Sequence, residues 1–212
     1  MLRRRPAGAS AAAAGPTADA LYHLVHAIPG QLASSLMTAP DSARRASTTP
    51  VPASVRVGLG HDSHPFGPGS GLRLGGVEIA RAPRLAGHSD GDVALHAVAD
   101  ALLGAAGQGD LGRLFPPDAR TPCGVASRDL LREVVSRLAA GGCRPVSVDI
   151  VIIGARPRLV GHLDDMRAAI ADLLGLSTAA VNVKASTGNL AGDEGAGRSI
   201  AARAVATVEV TA

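Results

Sequence analysis

Aromatic side chains are almost absent from this 212-residue chain: Tyr22, Phe66 and Phe115 are the whole set, and there is no tryptophan. Without flat aromatic faces there is little on which unstacked bases could lie, so no nucleic-acid partner of the stacking kind is expected. Cysteine is scarce too. Cys123 and Cys143 form neither a Cys-x-x-Cys pair nor a dense framework, which points to a reducing compartment and buried thiols rather than a disulfide-stapled fold. No apolar run approaches the ~20 residues that a membrane-spanning helix needs, so no membrane partner is expected. Acidic residues are nearly missing from the first fifty positions, where Asp19 and Asp41 stand against five arginines (Arg3, Arg4, Arg5, Arg44, Arg45). The remainder carries sixteen basic and sixteen acidic groups. The net charge of +3 therefore belongs to the leader and says nothing about a polyanionic partner for the rest.

What is present is aliphatic. Residues of the apolar class make up 46% of the chain, implying a core of Ala, Val, Leu and Ile. Residues 1–53 are rich in Ala, Ser, Arg and Pro, the composition of an organellar transit peptide, with Ala18–Leu36 able to form an amphipathic helix. The competing readings are a disordered low-complexity tail or a start site set too far upstream. The folding domain is expected over residues 54–212. Ser54–Leu59 reads as a strand, Pro65–Gly71 as a loop by its Gly and Pro content, and Leu72–Ile79 as a strand bent at Gly75-Gly76. Asp90–Ala106 reads as a buried helix and Gly107–Phe115 as a tight connection. Ser127–Ala140 reads as an amphipathic helix stopped by Gly141-Gly142, and Val146–Ile153 as a central strand. The basic loop Gly154–Arg158, a helix over Gly161–Leu174, a strand over Val181–Ala185, a Gly-rich loop and a last strand over Ile200–Val210 complete the chain. Strands interleaved with helices indicate an α/β domain.

Histidine is concentrated. Arg56–His64 and Gly87–His96 together hold four of the seven histidines and the aspartates Asp62, Asp90 and Asp92. Along an extended strand, residues two apart share a side, so Asp62 and His64 project together. Ser89 or Asp90 is a candidate N-cap for the following helix, and His96 then lies about two turns into it. Asp92 and Asp100, four residues before and after, share its face, and either could hold the imidazole nitrogen turned away from a metal. Two histidines and one carboxylate leave a fourth position open, as catalytic zinc sites do. The bland alternative is a set of solvated or structural side chains. His61 should point the opposite way. His162 should be exposed, Asp149 a hydrogen-bonded structural acid, and Arg156 either phosphate-facing or solvated.

Taken in order and spacing, several motifs are specific together: Gly-His61-Asp62-Ser-His64, His88-Ser89-Asp90-Gly91-Asp92-Val-Ala-Leu-His96, Ala-Asp100-Ala-Leu-Leu-Gly, Gly-Asp110-Leu-Gly112, Leu-Phe115-Pro, and Val-Asn-Val-Lys184-Ala. Over residues 56–210 the chain resembles the 2-C-methyl-D-erythritol 2,4-cyclodiphosphate synthase family of the non-mevalonate isoprenoid pathway. The run Gly-Arg198-Ser-Ile-Ala-Ala looks like its plant and algal branch, in keeping with a plastid (chloroplast stroma) address. The resemblance implies an α/β single domain with a mixed β-sheet packed against helices. It implies a homotrimer with active sites between subunits. It implies conversion of 4-diphosphocytidyl-2-C-methyl-D-erythritol 2-phosphate to the 2,4-cyclodiphosphate with release of CMP, a lyase reaction. Zinc ligands would fall on Asp62, His64 and His96, the first two also touching substrate, with a further Mg or Mn on the substrate diphosphate. His88 and Thr187 match transition-state-stabilising residues. Ser89, Asp110 and Gly112 match sugar-side contacts. Asp118, Gly154, Pro157, Arg158 and Ser186 match further substrate contacts, with Arg158 where the family has lysine. Attacker and target are both anionic phosphates, so charge neutralisation and positioning matter more than a protein nucleophile or base.

Three departures stand out. Asn189 occupies the place of the family glutamate that holds magnesium, the Phe115–Ala119 loop has one acid out of register, and Asp193–Ala196 lacks the Phe and Arg of the family's axial segment. Those losses motivate an alternative, a catalytically weakened trimer that binds zinc and cytidine nucleotide without efficient turnover. A zinc phosphohydrolase on another fold is the third reading.

Overall fold

The computed structural model describes residues 54–211. The expected leader over residues 1–53, with its Ala18–Leu36 helix, lies outside the described residues. Five strands form one mixed sheet: β1 (Ser54–Leu74), β2 (Val77–Leu85), β3 (Cys143–Ile153), β4 (Val181–Ser186) and β5 (Ser199–Val210), in the order β2-β1-β5-β3-β4. Only β3 and β4 run parallel, and they are joined through a helix, as a parallel pair requires. The helices are α1 (Val93–Ala106), the single turn α2 (Leu111–Leu114), α3 (Ser127–Ala140), α4 (Leu163–Leu174) and the single turn α5 (Gly192–Gly195). The core lies between one face of the sheet and α1, α3 and α4, filled by Leu72, Leu74, Leu95, Leu102, Leu131, Ile150, Ile152, Met166 and Ile170.

β1 is far longer than Ser54–Leu59, and Pro65–Gly71 is not a loop. The strand pairs β5 from Ser54 to Pro65, then changes partner and pairs β2 from Phe66 to Leu74. Its prolines and glycines are absorbed by irregular pairing: the register slips between Phe66 and Ser70 and again before Leu72, with Gly69 and Gly71 at positive φ. Bulges use such residues to bend a strand without ending it. Gly75-Gly76 is a turn rather than a bend. Leu74 pairs Val77, and both glycines are left-handed, as a two-residue hairpin with the sheet's twist demands.

Helix α1 is buried on almost every side. Its apolar composition permits this, and its position under the sheet and against α3 requires it. Apart from Ala106 at its end, only His96, Asp100 and Gly104 are not fully covered, and they form a stripe at four-residue spacing. Its N-cap is Asp92, not Ser89 or Asp90. The Asp92 carboxylate accepts N–H bonds from Leu95 (3.1 Å) and from both hairpin glycines, Gly75 (2.8 Å) and Gly76 (2.7 Å). One buried acid thus satisfies the helix start and ties the β1–β2 turn to it.

The opposite contact is steric. Gly58 and Gly60 lie on the buried face of β1. A methyl group added to either would stand 2.0 Å from the Ala101 carbonyl oxygen or 1.9 Å from that of Ala97. Strand and helix backbones therefore meet with no side chain between them. One smaller expectation changes. Cys143 is buried, but Cys123 is exposed because it sits on a turn rather than a packed element. Asp149 behaves as expected, bonded by Asn182 and Lys184.

Gly60→Ala is expected to cost about 3 kcal/mol or more, because two backbones would have to part. The check is the urea midpoint of the variant against the parent, with Gly104→Ala, where a methyl meets nothing within 4 Å, as the harmless control.

Candidate metal centre and its cleft

The period-2 pattern that turns Gly58 and Gly60 toward α1 carries on to Asp62 and His64. His96 precedes Ala97, the residue under Gly60. Close packing of strand on helix therefore delivers His96 to Asp62. One ligand atom from each of Asp62, His64 and His96 lies within 4.8 Å of the others. Asp62 Oδ2 is 2.8 Å from His96 Nδ1 and 3.2 Å from His64 Nε2, and the two rings stand edge to face with centroids 5.6 Å apart. Two imidazoles and one carboxylate converging this way fit a borderline divalent cation of the zinc type, with room for an exogenous oxygen ligand.

His96 is not held from behind by Asp92 or Asp100. Asp92 is committed to the hairpin, and Asp100 accepts the Leu111 N–H at 2.7 Å, which orients α2. Two hydroxyls meet Nε2 instead: Ser127 Oγ at 2.8 Å and Ser89 Oγ at 3.1 Å. Ser127 comes from the start of α3, and its N-terminal position and polar neighbours make it look in sequence like an ordinary helix-start residue. His61, as expected, faces away and meets the Ala202 carbonyl.

Electrostatics follow the geometry. Burial alone would push the Asp62 carboxyl up, but hydrogen bonds from His64 and His96 outweigh it and hold the group far below the usual carboxylate range. Burial would push His96 down, and its bond to Asp62 overcomes this and raises it. Asp92 and Asp100 are raised by burial, against the N–H groups they accept.

A cleft of about 210 Å³ opens over the cluster. His88, Ser89 and Gly112 line it with Asp62, His64 and His96. So do Phe115, Pro117 and Thr121, which the sequence did not single out for the site. His88 is fixed by its Nε2, 2.7 Å from the Thr121 carbonyl. Asp110 caps α2 by accepting from Arg113 N, and Asp118 is gripped by Arg120; neither lines the cleft. Gly154, Pro157, Arg158, Ser186 and Thr187 line a second cleft of about 510 Å³ at the ends of β3 and β4. Arg156 is exposed but engaged within its own chain: it lies over Phe66 (4.7 Å) and donates to the Gly197 carbonyl. Asn189 is exposed at φ 54°, a left-handed conformation that asparagine tolerates. Asp193 is paired with Arg198. No helix among the described residues is long and apolar enough to cross a membrane.

Comparison with known proteins bears on all of this. The YgbB family model matches residues 55–209. The bifunctional enzyme IspD/IspF of Anaeromyxobacter dehalogenans is 44% identical over 205 residues, covering 92% of this chain and 53% of that protein. The 2-C-methyl-D-erythritol 2,4-cyclodiphosphate synthase of Chromobacterium violaceum is 51% identical over 150 residues, covering 71% of this chain and 95% of that one. A solved CDP complex of IspF from Plasmodium falciparum superposes with a TM-score of 0.64 at 27% identity, over 75% of this chain and 98% of that one. The chain thus spans about half the length of the bifunctional relatives it matches, and nearly all of the single-activity one.

The Asp62–His96 pair makes metal-free stability depend on pH. Asp62, lowered on folding, contributes above its ordinary 3.8 and loses that only as pH falls through the lowered value. His96, raised on folding, contributes fully below 6.5 and loses it as pH rises through its folded value. Chelator-treated protein should therefore melt at higher temperature near about pH 6 than near about pH 8.5, and Asp62→Asn should flatten that difference, both read by circular dichroism.

Proposed function

The chain belongs to the YgbB family, and from that premise we propose that it is a 2-C-methyl-D-erythritol 2,4-cyclodiphosphate synthase. Its substrate is 4-diphosphocytidyl-2-C-methyl-D-erythritol 2-phosphate. An oxygen of the 2-phosphate forms a bond to the β-phosphorus, and the bond from that phosphorus to the bridging oxygen breaks. CMP departs with the electron pair. The observation that carries this reading is the convergence of Asp62, His64 and His96 at the floor of a cleft that His88 and Ser89 also line.

Asp62, His64 and His96 would hold the divalent ion, which we assign as zinc from the donor set. When bound, such an ion supplies charge neutralisation and Lewis-acid polarisation to a phosphate. The chain's own groups do the rest. His88, anchored by the Thr121 carbonyl, presents its ring to the reacting phosphates, and Ser89 and Gly112 meet the sugar side. Gly154, Pro157, Arg158 and Ser186 receive the cytidine and its phosphate, and Thr187 stabilises the charge that develops on transfer; the substrate roles of Asp110 and Asp118 rest on the family resemblance alone, since neither lines the cleft of a single chain. At the place of the family glutamate, a magnesium or manganese ion on the diphosphate would meet the neutral amide oxygen of Asn189, which weakens its hold.

Homotrimer formation is part of the proposal. Val55, Val57, Leu59 and Val205 stand on the sheet face that no helix among the described residues covers, from 43% to 70% exposed, with Leu59 and Val205 paired across β1 and β5. Such a stripe is expected to be buried in an assembly. A metal cleft of about 210 Å³ is also small for a nucleotide-sized ligand, which favours a site completed by the second cleft of a neighbouring subunit. The Ala-, Ser- and Arg-rich leader over residues 1–53 supports import into the plastid.

Incubation of the full-length protein with the diphosphocytidyl phosphate substrate should release CMP. Asp62→Ala should lower the rate by about a thousandfold, the scale lost with an electrostatic centre; a zinc-loaded trimer that releases no CMP would refute the activity. Asn189→Glu should lower the magnesium concentration for half-maximal rate by about tenfold, as a charged ligand replaces a neutral one. Val57→Asp should shift the protein toward monomer in sedimentation.

A further inference from the structure

The histidine that joins strand to helix at the metal centre carries a second connection that the reaction scheme leaves unused. Its ring turns Nδ1 to Asp62 and Nε2 to Ser127. A neutral imidazole that offers one nitrogen to a cation carries its proton on the other. That proton sits on Nε2, and Ser127 Oγ at 2.8 Å accepts it. The serine hydroxyl then has its own hydrogen to give, and Asp90 Oδ1 lies 2.5 Å away. The bonds run in one direction, from His96 N–H to Ser127 O–H to the Asp90 carboxylate. Ser127 is 1% exposed, so water cannot replace it. Ser89, also within reach of Nε2 at 3.1 Å, already accepts from the Gly91 N–H and lines the cleft.

We propose that Ser127, backed by Asp90, is the positioning residue that fixes the tautomer and orientation of His96 for metal binding, and so leaves the Ser89 hydroxyl free for substrate. The inference rests on Asp62, His64 and His96 being the metal ligands. Carboxylates and carbonyls usually orient ligating histidines directly, and their loss weakens metal affinity by about 10–100-fold. Here the carboxylate acts through a hydroxyl delivered by α3. The active-site helix and α3 are thereby coupled through a buried polar contact rather than through apolar packing alone. Asp90 is in turn tied to the loop before α3, its N–H donating to the Val125 carbonyl at 3.0 Å.

The test uses the full chain, stripped of metal and titrated with zinc against a chromophoric chelator. Ser127→Ala should raise the zinc dissociation constant by about 10–100-fold with the far-UV circular dichroism unchanged. Ser127→Thr, which keeps the hydroxyl, should recover most of that loss, and Asp90→Asn, which keeps the acceptor oxygen but removes charge, should fall between. In the cobalt-substituted protein the visible ligand-field bands of Ser127→Ala should shift, a change that a general loss of stability does not produce. Ser127→Ala protein that is folded and binds zinc within twofold of the parent overturns the proposal. If Ser127→Ala does not fold, an unchanged constant in Asp90→Asn overturns it equally. A parent protein that binds no zinc, or an Asp62→Ala variant that binds it undiminished, instead overturns the ligand assignment beneath.

Discussion

The whole site depends on one steric fact: a strand and a helix touch backbone to backbone. Gly58 and Gly60 remove the side chains from one wall, and Ala97 and Ala101 keep the other wall short. The distance between β1 and α1 is thereby set by main-chain atoms, which cannot change rotamer. One step further along the same strand face stand Asp62 and His64, and one residue before Ala97 stands His96. Ligands attached to rigid elements at fixed spacing are pre-organised, and their convergence costs little when a cation arrives.

Around that contact each acid has a separate partner. Asp92, the most enclosed, serves structure by joining hairpin, helix start and core. Asp100 orients the turn that brings Leu111 and Gly112 to the cleft. Asp62, partly open, faces the imidazoles and remains anionic because they hold it so. Three acids, one at the cap of α1, one on α1 and one on the facing strand β1, thus have three separate tasks, set by what each touches. The hydroxyls of Ser89 and Ser127 fill the space behind His96, where an additional carboxylate would have needed its own compensation.

On the proposed reaction, two anionic phosphates must approach within bonding distance, and the cation that Asp62, His64 and His96 would hold offsets their repulsion. The two clefts of one chain divide the residues that the substrate needs, with the metal cluster in one and Arg158 and Thr187 in the other. The bare valine and leucine stripe on the outer sheet face supplies a reason for copies to meet. Assembly and catalysis would then draw on the same sheet, with helices on its inner face and partners on its outer one.

Much of this was legible in the residues. The period-2 placement of Asp62 and His64, the helical placement of His96, the α/β order and the bounds of α3 all follow from spacing and composition, because they are local properties of a strand or a helix. Local rules misjudged Pro65–Gly71, whose glycines and prolines serve bulges in a strand that passes from one partner to another, since pairing partners are distant in sequence. They also misassigned the partner of His96. Asp92 and Asp100 share its helix face, yet the hairpin and α2 had claimed both, and Ser127 reached the ring from 31 residues away. The chain by itself determined which residue types could bind a cation and which faces they occupy. Only the folded packing decided which atoms stand behind them, because a buried donor goes to whichever acceptor the tertiary structure brings within hydrogen-bond reach.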